Sequence, residues 1–220
     1  SGGTIGATTY VSASQLNVNI TPSATSTQYV LRVSTIVGGV TRLTDNYIID
    51  VSPTITSNVI WTNLTGATAT GNTINTKTAA NGWGNCGPHS TLGISGCGGY
   101  MEFTVKSITT TQNEMIGLNN NHTLDTNWTS IDHAIYLSGT ANTANGFVYE
   151  DGVFAGSLGA CPNGTVLRIE IYNNTIRYYR NGILTLTRQR QGNFPYYVDT
   201  SIFSTGISRI SNVIISGNLT

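Results

Sequence analysis

Apolar side chains fall on every second position through most of this chain, and Asn- and Gly-containing breaks separate the runs. In GYMEFTV, Met101, Phe103 and Val105 share one face while Glu102 and Thr104 take the other. In TVLRIEIY, Leu167, Ile169 and Ile171 point one way and Arg168, Glu170 and Tyr172 the other. A period of two belongs to a half-buried β-strand, because successive side chains leave opposite faces of the pleat. No run carries a helical apolar stripe. Asp151-Gly152, Asn163-Gly164, Asn173-Asn174 and Asn181-Gly182 mark turns, since Asn, Asp and Gly tolerate the positive φ of two-residue hairpin loops. Residues 146–158 therefore read as a hairpin around EDG, and residues 165–187 as three consecutive strands.

The alternation breaks at residues 51–56, VSPTIT. Before it lie four strand-like runs, TTYVSA, QLNVNI, TQYVLRVSTI and TRLTDNYIIDV. After it, the remaining length suits a two-sheet jelly roll. The expected fold is all-β, with a first segment over 1–52 and a larger antiparallel sandwich over 57–220.

Composition narrows the function classes. Charged residues make up 9% of the chain, against about 25% in an ordinary soluble protein. Ten Lys and Arg balance ten Asp and Glu, so no basic stripe is available for phosphates and nucleic acid is not an expected partner. Arg188-Gln189-Arg190 is the one tight basic cluster, and it reads as a solvated strand end. No apolar run reaches membrane-spanning length. The chain begins SGGTIG without Met, which reads as a mature or excised piece of something longer.

The N-terminal runs resemble the second half of an IPT/TIG domain, an immunoglobulin-like fold of cell-surface proteins. The matching pieces are Tyr10-Val11-Ser12, Gln15-Leu16, Ile20 before Pro22, Tyr29-Val30-Leu31-Arg32-Val33 and Tyr47-Ile48-Ile49-Asp50-Val51. The family's Pro- and Gly-rich opening strands are missing. The resemblance thus implies a partial domain with an exposed edge, open to self-association or strand donation through residues 1–52.

The larger segment carries Val59-Ile60-Trp61-Thr62-Asn63, Gly99-Tyr100-Met101-Glu102-Phe103, Met115-Ile116-Gly117-Leu118, Ile131-Asp132-His133-Ala134-Ile135-Tyr136-Leu137, Val148-Tyr149-Glu150-Asp151-Gly152, Arg177-Tyr178-Tyr179-Arg180-Asn181-Gly182 and Pro195-Tyr196-Tyr197-Val198-Asp199. In this order they resemble the concanavalin A-like (laminin-G/SPRY-like) jelly rolls of bacterial surface proteins and phage fibres. That fold hosts lectins, enzymes and pure interaction modules, so it does not by itself assign a function.

Catalytic signatures are weak. A glycosidase needs converging carboxylates, but Glu102, Glu114, Glu150 and Glu170 fall on four different strands. Glu150-Asp151 reads as turn-forming. Neither G-x-S-x-G nor H-E-x-x-H occurs, and an enzyme is not expected. Sugar recognition needs exposed aromatic rings and polar groups for hydroxyls. Two loops supply these: NGWGNCGPHS with Trp83, Asn85 and His89, and NNNHTLDTNWTSIDH with His122, Asp125, Trp128 and Asp132. Asp132 has a plainer reading, as a tie for loop backbone.

Asp125 and Asp132 are also hard oxygen ligands, which keeps Ca²⁺ a minor candidate, although no D-x-D-x-D loop exists. No other cofactor is expected. Cys86, His89, Cys97 and Cys161 formally make a Cys₃His set, but the spacing matches no common zinc knuckle. The favoured reading is a Cys86–Cys97 disulfide across a Gly-rich loop, worth roughly 2–3 kcal/mol and implying an oxidising compartment.

The expected role is non-catalytic recognition of a glycan or cell-surface ligand by a secreted, cell-surface or virion-surface module. The first alternative is a structural subunit of a phage fibre or extracellular filament, its N-terminal half-domain completed by a neighbour. A polysaccharide-active enzyme is the second alternative.

Overall fold

In the computed structural model, the chain divides into two compact units, Ser1–Pro53 and Thr54–Thr220. The structure describes the backbone of residues 4–12, 15–21, 28–37, 40–50, 55–106, 111–120, 125–140, 143–172 and 174–220, and side chains from residue 55 onward apart from Cys97.

The first unit contains two antiparallel hairpins. β1 (Thr4–Ser12) pairs with β2 (Gln15–Thr21), and β3 (Gln28–Val37) pairs with β4 (Val40–Asp50). The side chains on which the immunoglobulin-like resemblance rests lie outside the described residues.

The second unit is a two-layer antiparallel sandwich. Its strands are β5 (Ile55–Asn58), β6 (Trp61–Thr62), β7 (Ala67–Thr70), β8 (Thr73–Lys77), β9 (His89–Val105), β10 (Gln112–Asn119), β11 (His133–Gly139), β12 (Asn145–Glu150), β13 (Val153–Ala160), β14 (Val166–Tyr172), β15 (Thr175–Arg180), β16 (Ile183–Gln189), β17 (Tyr196–Ile202), β18 (Gly206–Ile207) and β19 (Ile210–Leu219). One layer runs β13-β12-β11-β10-β17 and ends on the first half of β9. The other runs from the second half of β9 through β14 and β15 to β16, with β19 and β5 on the far side of β9. β7, β8 and β18 form a small separate sheet.

β9 therefore belongs to both layers. Its partner β19 crosses the same corner. Ser95 stands opposite Asn218 and Gly99 opposite Gly217, so Gly96, Cys97 and Gly98 bulge out against no β19 residue, while Gly98 pairs with Tyr172 of β14 on the other side. Such an insertion bends a strand and adds twist. Gly96 adopts φ +77°, a left-handed conformation that glycine reaches without steric cost. A side chain at Gly99 would collide with the Ser216 carbonyl oxygen. The glycines of this stretch thus serve the corner.

The expected alternation is seen in burial. Met101, Phe103, Val105, Leu167, Ile169 and Ile171, with Ile215 beside them on β19, all enter one continuous core with Ile116, Leu118, Ile135, Val148 and Val198 from the facing strands. Each such side chain contributes about 1.5–3 kcal/mol by leaving water. Both anticipated hairpin sets form. β12 and β13 turn at Asp151 (φ +47°) and Gly152 (φ +74°), and β15 and β16 at Asn181 and Gly182.

The expected Cys86–Cys97 staple is not formed, for Cys86 is a free, buried thiol. The chain leaves it into the extended run of β9, at about 3.3 Å per residue. That run carries position 97 to the corner, while a disulfide needs Cα atoms within about 7 Å. Cys161 is likewise free and buried.

Candidate functional site: an aromatic cleft outside the sandwich

Alternation places Met115 on β10, Ala134 and Tyr136 on β11, and Phe147 and Tyr149 on β12 on the face turned away from the core. Met115 and Ala134 are nevertheless buried, with Ile131, in a second apolar cluster on which Trp83, Trp128, Tyr136 and Tyr149 pack. The two loop tryptophans singled out from the sequence are what cover this face.

Trp83 comes from the loop between β8 and β9, tied down over the end of β17. Lys77 Nζ donates to the carbonyls of Gly82, Ile202 and Phe203. Gly82 N–H donates to Phe203 O at 2.9 Å, and Asn85 Nδ2 donates to Ala80 O within the loop. Trp128 opens a single 3₁₀ turn, Trp128–Ser130, whose cap Asn127 accepts from Thr129 N–H. Asp125 Oδ1 accepts from Asn127 N–H at 2.7 Å. Ser201 Oγ on β17 donates to Thr126 O, fastening this segment to the sheet.

The rings meet edge to face or tilted. Trp83 lies 6.1 Å from both Trp128 and Tyr136 and 5.3 Å from Phe203. Tyr149 makes T-shaped contacts with Trp128 at 5.9 Å and Tyr136 at 5.8 Å. Between them opens a cleft of about 180 Å³, lined by Trp83, Met115, Trp128, Tyr136 and Tyr149. Tyr136 is oriented by its hydroxyl, which donates to Asn113 Oδ1. Among the described residues the lining carries no charge, so its chemistry is apolar stacking.

The other nominated residues are placed differently. Asn85 and Asp125 are exposed on the two covering loops. His89 is buried on β9, in register with Asp199. His122 lies outside the described residues. Asp132 Oδ2 accepts from Asn120 N–H at 2.6 Å, so its plainer reading as a backbone tie is realised. Burial, together with the nearby Asp151 charge, pushes its carboxyl up to about 6 despite that bond. Burial likewise pushes Asp199 up to about 7, against hydrogen bonds from Asn119 Nδ2 and Thr200 N–H. Among the described residues no group of three or more His, Cys, Asp or Glu converges on a point fit for a metal ion.

Sequence reading missed Tyr136, Tyr149 and Met115. Their signal lies in the second phase of the alternation, where Ala134 and Tyr136 share one face of β11 and Phe147 and Tyr149 one face of β12.

Glu150 also exceeds its expected turn role. It is buried, with Oε1 accepting from Tyr178 OH (3.1 Å) and Oε2 from Arg188 Nε (3.2 Å). His133 Nδ1 stands 3.5 Å from Oε1, and the His133 Nε2 accepts from Gln191 N–H. That bond leaves Nδ1 to carry the proton toward Glu150. Burial pushes the Glu150 carboxyl up, but these partners together outweigh it and hold the group below its usual range. The carboxylate joins β12 of one layer to β15 and β16 of the other.

No protein-family model and no curated protein matches the chain. Among solved structures it is similar to the VIP36 exoplasmic/lumenal domain in its Ca²⁺/Man3GlcNAc-bound form (9% identity, 73% of this chain and 84% of that one, TM-score 0.48). It is also similar to a legume lectin-like domain from Entamoeba histolytica (13%, 74% and 88%, TM-score 0.43). A third similarity is to alginate lyase AlgAT5 of Polysaccharide Lyase family 7 (16%, 63% and 68%, TM-score 0.38). Among the described residues no helix is long and apolar enough to cross a membrane.

Proposed function

We propose that the second unit is a non-catalytic glycan-binding module whose contact surface is the cleft between Trp83 and Trp128. The observation that carries this reading is the convergence of two separately anchored loops, each delivering one tryptophan, over an uncharged aromatic floor. The C–H faces of a sugar ring stack on such rings, while its hydroxyls remain free to bond polar groups at the rim. Asn85 and Asp125, exposed on the same two loops, are the nominated rim residues. Cleavage of a glycosidic bond by hydrolysis would use two carboxylates flanking the bond. The cleft lining offers none, which favours holding a sugar over cutting it.

A glycan array probed with the purified chain tests the reading, with Trp83→Ala and Trp128→Ala as comparison proteins. Binding by the parent and a loss of about tenfold or more in each variant is expected, the size of a well-packed aromatic anchor. Absence of binding to any glycan at millimolar concentration by folded protein overturns it. Release of reducing or unsaturated ends from a bound polymer would transfer the site to an enzyme.

A further inference from the structure

The aromatic surface does not stop at the cleft. Tyr149 continues into Phe154 at 5.8 Å, and Tyr136 into Phe147 at 6.2 Å. Phe147 and Phe154 touch at 6.4 Å. From Trp83 the rings advance through Tyr136 and Tyr149 to Phe154 in steps of 6.1, 5.8 and 5.8 Å. Tyr136, Tyr149 and Phe154 sit on β11, β12 and β13, so this row crosses the strands. Its far end is open, with Phe154 58% exposed and the adjoining Val153 67% exposed. A second hollow of about 300 Å³ begins there, lined by Val153, Phe154 and the β12–β13 turn together with the charged Glu150 and Arg188.

We propose that this face holds several linked units of a neutral polysaccharide laid across the strands, from Trp83 to Phe154. The proposal rests on the glycan-binding reading and adds the ligand's length and charge. Length follows from the row: one sugar ring covers one or two aromatic side chains, and the exposed Phe154 lies three ring contacts away from Trp83. Charge follows from the groups nearby. The cleft lining has none, while at the far hollow Asp151 lies beside Arg188, whose Nε donates to Glu150. Among the described lining residues the one cation, Arg188, already faces the Glu150 carboxylate, so a uronate polymer would meet Glu150 and Asp151 with a single shared cation, which disfavours it.

Affinity electrophoresis in native gels containing a neutral glucan, a galactomannan, a xylan, alginate or polygalacturonate is the first measurement. Calorimetry then follows the retarding polymer's oligosaccharides from monosaccharide to hexasaccharide. Retardation by a neutral polymer is expected, with affinity rising about tenfold or more along the ladder before it levels. Phe154→Ala should lower hexasaccharide affinity by about fivefold, the scale of one aromatic contact. Ile183→Ser, at an exposed position on β16, should match the parent. Equal affinity for monosaccharide and hexasaccharide overturns the extended face but leaves glycan binding standing. Retardation by alginate or polygalacturonate alone overturns the neutral ligand. Retardation by none of the polymers overturns this proposal, and a blank glycan array beside it removes the underlying reading as well.

Discussion

Lys77 Nζ donates to the Gly82 carbonyl at 2.7 Å, one residue before Trp83. Two further bonds, to Ile202 O at 2.7 Å and Phe203 O at 2.9 Å, occupy the rest of the ammonium group. The side chain is fully buried, and desolvation pulls its pKa below the usual lysine range although the Cys86 thiol counteracts it. A buried cation surrounded by carbonyls thus fixes the approach of the tryptophan loop to the end of β17.

Lys77→Met keeps most of the volume and removes all three donors. The orphaned carbonyls should cost about 2–4 kcal/mol, read as a lower urea midpoint. Tryptophan emission should shift red as Trp83 loosens from Trp128 and Phe203. A variant with parental midpoint and emission would show that the loop is held by ring packing alone.

Glu150→Gln tests the bridge between layers. The amide retains one acceptor for Tyr178 or Arg188 but loses the charge that both cation and imidazole face. A loss of about 2–4 kcal/mol is expected, since breaking a buried pair strands its partner. Unchanged stability in denaturant melts would mean that Arg188, itself 45% exposed at its side chain, carries no weight in the pair.

Stability should fall as pH rises from about 4.5 to about 7.5. Burial raises the folded-state pKa of Glu114 to about 7 and of Asp199 to about 7, against roughly 4.3 and 3.9 unfolded. Between those limits the folded chain keeps protons that the unfolded chain releases, so each unit of pH disfavours folding. A total drop of about 2–5 kcal/mol is expected, and partly buried Asp132, its carboxyl raised to about 6, acts in the same direction. Asp199→Asn should flatten the slope and raise stability at the alkaline end. Glu150, held low, acts in the opposite sense only below about 4.3, outside this window. A flat or rising profile would contradict the burial of the two carboxyls.

Cys86 should behave as a free thiol. Burial pushes its pKa up to about 11, so native protein should resist alkylation there. Unfolding without reductant should make it modifiable, as peptide mass spectrometry would report, and dithiothreitol should leave Tm unchanged. A reductant-sensitive Tm together with an unmodified Cys86 peptide would restore the disulfide.

Much of the sandwich was legible because strand alternation is a local property. Met101, Phe103 and Val105 turn inward together whatever pairs with them, since successive side chains must leave opposite faces of the pleat. Asp151-Gly152 and Asn181-Gly182 were readable for the same reason: a positive φ is a demand on one or two residues. Trp83 and Trp128 stood out as large rings in polar loops. The Cys86–Cys97 inference failed because loop length says nothing about whether the intervening chain is coiled or extended, and here it is a strand.

Alternation and turn residues were enough to fix most of the strands, the inward faces of β9 and β14 and the hairpin turns, because backbone pleating and turn conformations act over two to four residues. That the Trp83 and Trp128 loops meet, that Tyr136 and Tyr149 floor the space between them, and that Glu150 reaches across the layers came from long-range packing. Those outcomes depend on which distant strands become neighbours. β17 lies between β10 and β9 although a long stretch of chain separates it from both, and that pairing follows from burying one shared core rather than from any local pattern.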